Sequence, residues 1–168
     1  MKAFLNQIFQ NVNPKIFAKY SPFTSLFADC ILLYYIKTKM LPRLFQREQI
    51  YALLERTNPE VRYLSMQEFE SLVEILQSSF ILSFTVIIAF NAIMYALAGR
   101  GKPFAVKFLY GYTFSTCLLS ALELIGSVFS QRIPFSWATL ITMFLYLYVY
   151  LGMRYFKILP KTKKNRAR

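Results

Sequence analysis

The pattern of apolar and polar residues separates a mixed N-terminal half from an almost wholly apolar region at 78–156. Three successive apolar stretches lie in that region, at 78–98, 104–129 and 135–156. A helix that crosses a bilayer needs about 20 predominantly apolar residues, and each stretch meets that length. The pattern therefore predicts an all-α, polytopic membrane helical bundle with three long spanning helices, a three-helix membrane domain at 78–156.

An earlier apolar run, at 23–36, is shorter and carries Asp29 in its middle. Runs of that length are typical of re-entrant, interfacial or protein-buried segments, although an extension back to residue 16 lets the run just cross. Ser21 and Pro22 have the order of a helix N-cap and a first-turn proline, which predicts a helix start at this point. We therefore expect a shorter fourth membrane or re-entrant segment within 16–40.

The distribution of basic residues bears on the number of spans. If the C-terminus is cytoplasmic, a fourth span moves Lys2, Lys15 and Lys19 to the cytoplasmic side, as the positive-inside rule favours. The basic cluster within 37–47 argues in the opposite direction. Three and four spans both remain open, and the four-span arrangement places both termini in the cytoplasm.

Two further regions are predicted to be helical without spanning the membrane. Residues 1–15 place apolar side chains on one helical face, which indicates an interfacial amphipathic helix. Residues 41–77 form an amphipathic region in which a helix over 44–58 is expected. Ser65 and Glu68 have the spacing of a capping box, and it predicts one helix of roughly thirty residues continuing into the first long span.

The formal net charge of +12 is concentrated in a basic tail at 157–168, directly after the last apolar stretch. Such a tail indicates a cytoplasmic anchor on anionic lipid head groups, and we do not expect nucleic acid as a partner. The residues predicted to contact head groups are Lys157, Lys161, Lys163, Lys164, Arg166 and Arg168.

A polar stripe follows the second long stretch at spacings of three and four residues, the spacing of one helical face. Its members are Thr113, Thr116, Ser120, Glu123 and Ser127. A looser counterpart on the third stretch comprises Ser136, Thr139, Met143, Tyr146 and Tyr150. These stripes predict either helix–helix seams, within one bundle or between copies, or the lining of a polar path for a small solute or ion.

Small and ionisable residues complete the candidate site. Gly111 and Ser115 form a small-xxx-small pair on an adjoining face, with Gly126 further along, and such residues let helices approach closely. Asn91, in the middle of its span, is expected to hydrogen-bond to a neighbouring helix. Glu123 is either a structural carboxylate paired with Arg132 in the following loop or a proton or ion site.

No enzymatic constellation is found in the sequence. The chain contains no histidine, which removes the commonest general base and metal ligand. It also contains no zinc-protease, serine-hydrolase or phosphate-loop motif. We therefore predict that the protein is not an enzyme and uses no cofactor or metal.

Two segments carry a resemblance to a known family. They read AGRGKPFAVKFLYGYTFS, from residue 98, and LYLYVYLGMRYF, from residue 145. Together they resemble the Yip-type multi-pass membrane domain, with Gly99, Gly101, Gly111 and Tyr112 as the matching positions over the last seventy or so residues. The resemblance implies a non-enzymatic membrane adaptor, with small GTPases as partners in eukaryotic members.

These observations favour a non-catalytic integral membrane interaction protein. In that role it acts as an accessory, assembly or scaffold subunit that binds another membrane protein or further copies of itself. The alternative is a small oligomeric transporter or channel that uses the polar seam around Glu123.

Overall fold

The computed structural model describes residues 2–57, 65–129 and 136–158, and in this part of the chain it contains helices and no strand. The helices, in order, are α1 (Lys2–Phe9), α2 (Pro14–Tyr35), a π-helical turn (Ile36–Met40), α3 (Leu41–Leu44), α4 (Arg47–Thr57), α5 (Met66–Gly99), α6 (Pro103–Phe129) and α7 (Trp137–Tyr155). The predicted all-α fold is confirmed.

Three of the described helical stretches are long and apolar enough to cross a membrane: Pro14–Leu44, Met66–Gly99 and Pro103–Phe129. The last two contain the predicted spans at 78–98 and 104–129. The first contains the segment that was predicted to be shorter, because its helix starts earlier and continues through the π-helical turn into α3. The chain is therefore an integral membrane protein with a helical bundle.

Helix α7 corresponds to the third predicted stretch but is not among these three. It has 19 residues, and its hydropathy is lowered by Arg154 and by the tyrosines at 146, 148, 150 and 155. At about 1.5 Å per residue it is about 28 Å long, close to the thickness of the hydrocarbon layer. Its length thus suits a membrane.

The start of α2 differs from the prediction. The helix begins at Pro14, where the Asn13 side chain accepts a hydrogen bond from the Lys15 amide at 2.9 Å, and Pro22 lies inside the helix. Proline at the first helical position costs no hydrogen bond, and in α2 that position is occupied by Pro14, directly after the Asn13 cap. Pro22 is buried instead, so its ring serves packing.

The chain divides into two compact units, 1–32 with 89–168 and 33–88. The core of the first unit includes residues from α1, α2, α5, α6 and α7. Leu5 and Phe9 of α1 are buried in it, whereas Phe4 and Ile8 are exposed. The Phe9 ring stacks on Tyr155 at a centroid distance of 5.4 Å, so α1 is fastened to the end of α7.

In the first unit, α2 begins beside the end of α7. A Cβ placed on Gly152 would lie 2.2 Å from Cζ of Phe17, a distance that only glycine can accommodate without movement. At the same end, a Cβ on Gly99 would lie 3.9 Å from Cγ of Pro22, and α6 starts shortly after Gly99 at Pro103. The start of α2, the end of α5, the start of α6 and the end of α7 therefore share one end of this unit.

The second unit contains α4 and the first part of α5. Ile50 and Phe69 are buried together, with Tyr51 against Phe69 at 5.6 Å. The predicted capping box is present: the Ser65 amide donates to the Glu68 carboxylate at 2.8 Å, and the Glu68 amide donates to the Ser65 hydroxyl at 3.3 Å. From this cap α5 runs for 34 residues, as the sequence predicted.

The two glycines at 111 and 152 should respond oppositely to Gly→Ala. Gly152→Ala forces the buried Phe17 ring to move and should lower the free energy of unfolding by about 1–3 kcal/mol, as overpacking does. A Cβ on Gly111 would meet nothing within 4 Å, so Gly111→Ala should leave stability unchanged or raise it by about 0.5–1 kcal/mol. Thermal unfolding in one detergent compares them.

A double variant, Gly152→Ala with Phe17→Leu, provides the control for this comparison. The smaller leucine side chain leaves room for the new methyl group, so part of the lost stability should return. If Gly152→Ala is as stable as the wild type, the close contact between α2 and α7 does not exist in solution.

Candidate functional site

The first unit buries a carboxylate at membrane depth. Asp29 of α2 is 1% exposed, and the neighbouring inward positions of α2 carry the small residues Ser25 and Ala28, both with no exposed surface. Ser25 lies three residues before Ala28 and four before Asp29, so the small side chains keep this face of α2 narrow and let it approach other helices closely. The local sequence thus brings the Asp29 carboxylate inside the bundle.

Four side chains from three other helices donate hydrogen bonds to Asp29. Asn91 and Tyr95 of α5 donate to Oδ2 at 3.1 and 2.9 Å. Tyr112 of α6 donates to Oδ1 at 3.2 Å, and Tyr146 of α7 donates to the same oxygen. These five residues are called the Asp29 cluster below. A carboxylate accepts about four hydrogen bonds, so the donors match its capacity.

The cluster is also packed tightly. Asn91, Tyr95 and Tyr146 are at most 2% exposed, and Tyr112 is half-buried. The ring of Tyr112 meets those of Tyr95 and Tyr146 edge to face, each at 6.2 Å. The partners of the carboxylate are one amide and three phenols, all neutral groups. The arrangement joins four helices through one residue and, because its donors are neutral, it introduces no second charge into the membrane.

Sequence reasoning singled out four members of the cluster, Asp29, Asn91, Tyr112 and Tyr146, each for a separate reason, and missed the connection between them. Asn91 makes the interhelical hydrogen bond that was expected of it, and its partner is Asp29. Tyr95, Tyr112 and Tyr146 were not assigned to Asp29. One signal was available: Asn91 and Tyr95 lie four residues apart and therefore on the same face of α5.

The polar stripe of α6 faces α7. Thr113 and Ser120 are buried, while Thr116, Glu123 and Ser127 are half-buried. On α7, Thr139 and Tyr146 of the predicted counterpart have no exposed surface. The two stripes meet directly where the Thr139 hydroxyl donates to the Glu123 carboxylate at 3.3 Å. Arg132, the expected partner of Glu123, lies outside the described residues.

Most hydroxyls of this seam bond to their own helix. Thr113 donates to the Leu109 carbonyl and Thr116 to the Tyr112 carbonyl, each at 2.8 Å. Thr142 of α7, buried in the same seam, donates to the Thr139 carbonyl at 3.0 Å. Hydroxyls occupied in this way act as small packing groups at the α6–α7 contact.

The small residues of α6 do not form a close helix contact within the described part of the chain. Gly111 and Ser115 are exposed, on the side of α6 opposite Thr113, and Gly126 is half-buried. Since nothing lies within 4 Å of a Cβ on Gly111, the described residues provide no helix that packs closely there. At about 100° per residue, Gly111 points well away from the stripe that packs on α7. The close glycine contact of the bundle is at Gly152 instead.

The basic tail lies mostly outside the described residues. Of the predicted head-group contacts, Lys157 is described and exposed, with a positive φ of 53° just after α7. Lys161, Lys163, Lys164, Arg166 and Arg168 fall outside the described part of the chain. The described residues contain no group of three or more Cys, Asp or Glu side chains that could hold a metal ion.

Comparison of the chain with protein-family models, with curated proteins and with solved structures found no match.

We expect the Asp29 cluster to be the main determinant of bundle stability. Asp29→Asn turns one acceptor into a donor that faces other donors, so it should destabilise the protein more than Tyr146→Phe, which removes one hydrogen bond of about 1 kcal/mol. Tyr148→Phe, on the same helix but outside the cluster, should have little effect. Thermal unfolding in one detergent ranks the three variants.

Two outcomes would contradict this order of stabilities. If Asp29→Asn unfolds at the wild-type temperature, the carboxylate is not the acceptor on which the helices depend. If Tyr148→Phe costs as much as Tyr146→Phe, the loss reports a general need for phenols on α7.

Proposed function

We propose that the protein is a non-catalytic membrane interaction protein that acts as an accessory, assembly or scaffold subunit for other membrane proteins. The observation that carries the proposal is the complete occupation of Asp29, the buried carboxylate, by donors from its own chain. An ionisable group inside a membrane bundle is the first place to look for a substrate or ion site. Here its acceptor positions already serve to join helices.

The outer face of α6 supports the proposed binding of other membrane proteins. Gly111 and Ser115 are exposed one turn apart, and nothing in the described chain covers Gly111. Small residues on an exposed membrane face allow the backbone of another helix to come close. We assign this face, rather than the α6–α7 seam, to contact with a partner membrane protein or a second copy of the chain.

A small transporter or channel is the second candidate. One observation favours it: the Glu123 carboxylate is half-buried within the α6–α7 seam and accepts a hydrogen bond from Thr139 across it. A carboxylate between two hydroxyl-bearing helices is a group that can bind a proton or a cation. Other hydroxyls of the seam, those of Thr113 and Thr116, donate to their own backbones, which favours the packing role.

Bulky substitutions at Gly111 and Ser115 should reduce partner capture while the chain still folds. Gly111→Leu and Ser115→Leu add volume on the outer face of α6, where it hinders only an approaching helix. Thr116→Val should do less, because the hydroxyl that it removes bonds to the Tyr112 carbonyl of its own helix and valine has nearly the same size as threonine. The measurement is the amount of partner co-purifying in mild detergent, with Ile93→Phe, on the exposed surface of α5, as the control.

Two results would reverse this assignment. The first is greater damage from Thr116→Val or Ser120→Ala than from the leucine variants, which would make the stripe a solute path. The second is a proton flux in liposomes that contain only this protein and that Glu123→Gln abolishes. The scaffold reading expects no flux and an undiminished partner yield for Glu123→Gln.

The membrane arrangement that we propose has four spans, with both termini cytoplasmic. Its support is the shared end of α2, α5, α6 and α7 in the first unit, where basic side chains accumulate. They are Lys15, Lys19, Arg100, Lys102, Arg154 and Lys157. The positive-inside rule assigns such an end to the cytoplasm.

Cysteine accessibility tests this arrangement. Single cysteines are placed at Lys163 and Gln131 in a chain whose free Cys30 and Cys117 are replaced by serine. We expect labelling of position 163 from the cytoplasmic side and of position 131 from the opposite side. A second pair, at Asn6 and Asn58, should label from opposite sides. Labelling of that pair from one side would leave three spans.

A further inference from the structure

Two cavities lie at the end of the first unit where α2 begins. One has a volume of about 390 Å³ and lies between α2 and α5. The other has about 480 Å³ and reaches the start of α6 and the end of α7. Lys19 and Gly99 line both, so the cavities adjoin at these two residues. The absence of a side chain at Gly99 keeps this junction open.

The smaller cavity is an apolar crevice. Pro22, Phe23 and Leu26 line it from α2, and Ala92 and Ala96 line it from α5. The two alanines lie four residues apart on one face of α5, and their small side chains leave the space that larger residues would fill. The crevice runs from Lys19 to Leu26, about 10 Å along α2, into the apolar part of the helix.

The mouth of the crevice is basic. Lys19 and Arg100 line it and are exposed, and Lys15 lines the adjoining cavity. Among the described residues of this unit the carboxylates are Asp29 and Glu123. The first is enclosed in its cluster, and the second lies about 30 Å along α6 from Pro103. Within the described part of this unit, therefore, no carboxylate neutralises the mouth.

We propose that this pair of cavities binds one anionic phospholipid, with its phosphate between Lys19 and Arg100 and an acyl chain in the crevice between α2 and α5. The charge at the mouth selects an anionic head group, and guanidinium groups bind phosphate in a bidentate manner. The apolar crevice below it suits a hydrocarbon chain, which inorganic phosphate and soluble phosphate esters lack. The site goes beyond the proposed scaffold function and differs from the surface attraction expected of the basic tail.

The test uses the full-length protein in mild detergent. Phosphatidylglycerol is added, and the bound lipid is counted by native mass spectrometry. Phosphatidylcholine with the same acyl chains and glycerol 3-phosphate are the comparison ligands. The variants are Lys19→Gln with Arg100→Gln, which removes the basic mouth, and Ala96→Phe, which fills the crevice and keeps every charge. Lys102→Gln is the matched control, since Lys102 lies in the same loop as Arg100 and lines neither cavity.

We expect one retained phosphatidylglycerol per chain and much weaker retention of phosphatidylcholine. The double glutamine variant should bind about 25-fold more weakly, because each basic side chain at a membrane surface contributes roughly a fivefold gain. Lys102→Gln should bind as the wild type does, and glycerol 3-phosphate should not displace the lipid. Ala96→Phe should weaken binding although its charge is unchanged.

Three outcomes would overturn the proposal. Equal losses from Lys102→Gln and the double variant would mean diffuse attraction to a basic surface. Displacement by glycerol 3-phosphate at equal concentration would identify a soluble phosphate ester as the ligand. Full binding by a folded Ala96→Phe variant would show that no acyl chain occupies the crevice. Elution as a single species and an unchanged helical circular dichroism spectrum establish folding for each variant.

Discussion

The bundle depends on one carboxylate that must not be left without hydrogen bonds. In hydrocarbon, water cannot satisfy Asp29, so α2 is stable in the membrane only where other helices supply donors. The donors come from α5, α6 and α7. Each of these helices must have the axial position and the rotation that let its donor reach the Asp29 carboxylate. This requirement fixes the relative positions of four helices more sharply than apolar packing can, because lipid competes equally well for apolar surfaces.

The same constraint explains where the small residues lie. Close approach inside the first unit is needed along the inner face of α2 and at the end of α7, and there the chain has Ser25, Ala28 and Gly152. Gly111 and Ser115 are not needed for that approach and face outward. Small residues therefore have two separate uses in this chain. One is to admit the neighbouring helices of the bundle, and the other, which we propose for the outer face of α6, is to let a further helix approach.

Much of the helical architecture could be predicted from the sequence. The capping box of Ser65 and Glu68, the length of α5 and the break after Gly99 are local features, since each depends on residues close together in the chain. The extent of α2 could not be predicted as well, because Pro22 is compatible with a helix start and also with the interior of a helix that packing stabilises. The polar stripe of α6 could also be predicted. It packs against α7, the helix on which the sequence predicted a counterpart stripe.

The Asp29 cluster could not be predicted, for a reason that concerns all buried polar groups in membranes. A sequence shows that Asp29 needs partners, but the chain contains 12 tyrosines and no local feature marks the three that donate to it. The choice of Tyr95, Tyr112 and Tyr146 depends on helix rotations that no local pattern encodes. Glu123 gives a second example. Its expected partner, Arg132, is nearer in the sequence than Thr139, from which it accepts a hydrogen bond.

Tyr95 connects the Asp29 cluster with the apolar crevice of the first unit. Its hydroxyl donates to Asp29, while its side chain also lines the crevice between α2 and α5. The crevice can remain open next to a tightly packed cluster because the hydrogen bond fixes the tyrosine ring, so the ring forms a firm wall and does not collapse into the gap beside Ala92 and Ala96. A bundle held by apolar packing alone would close such a gap, since unfilled space forfeits dispersion contacts. The Asp29 carboxylate, which holds the helices together, thus also allows α2 and α5 to stay apart at the crevice, next to its basic mouth.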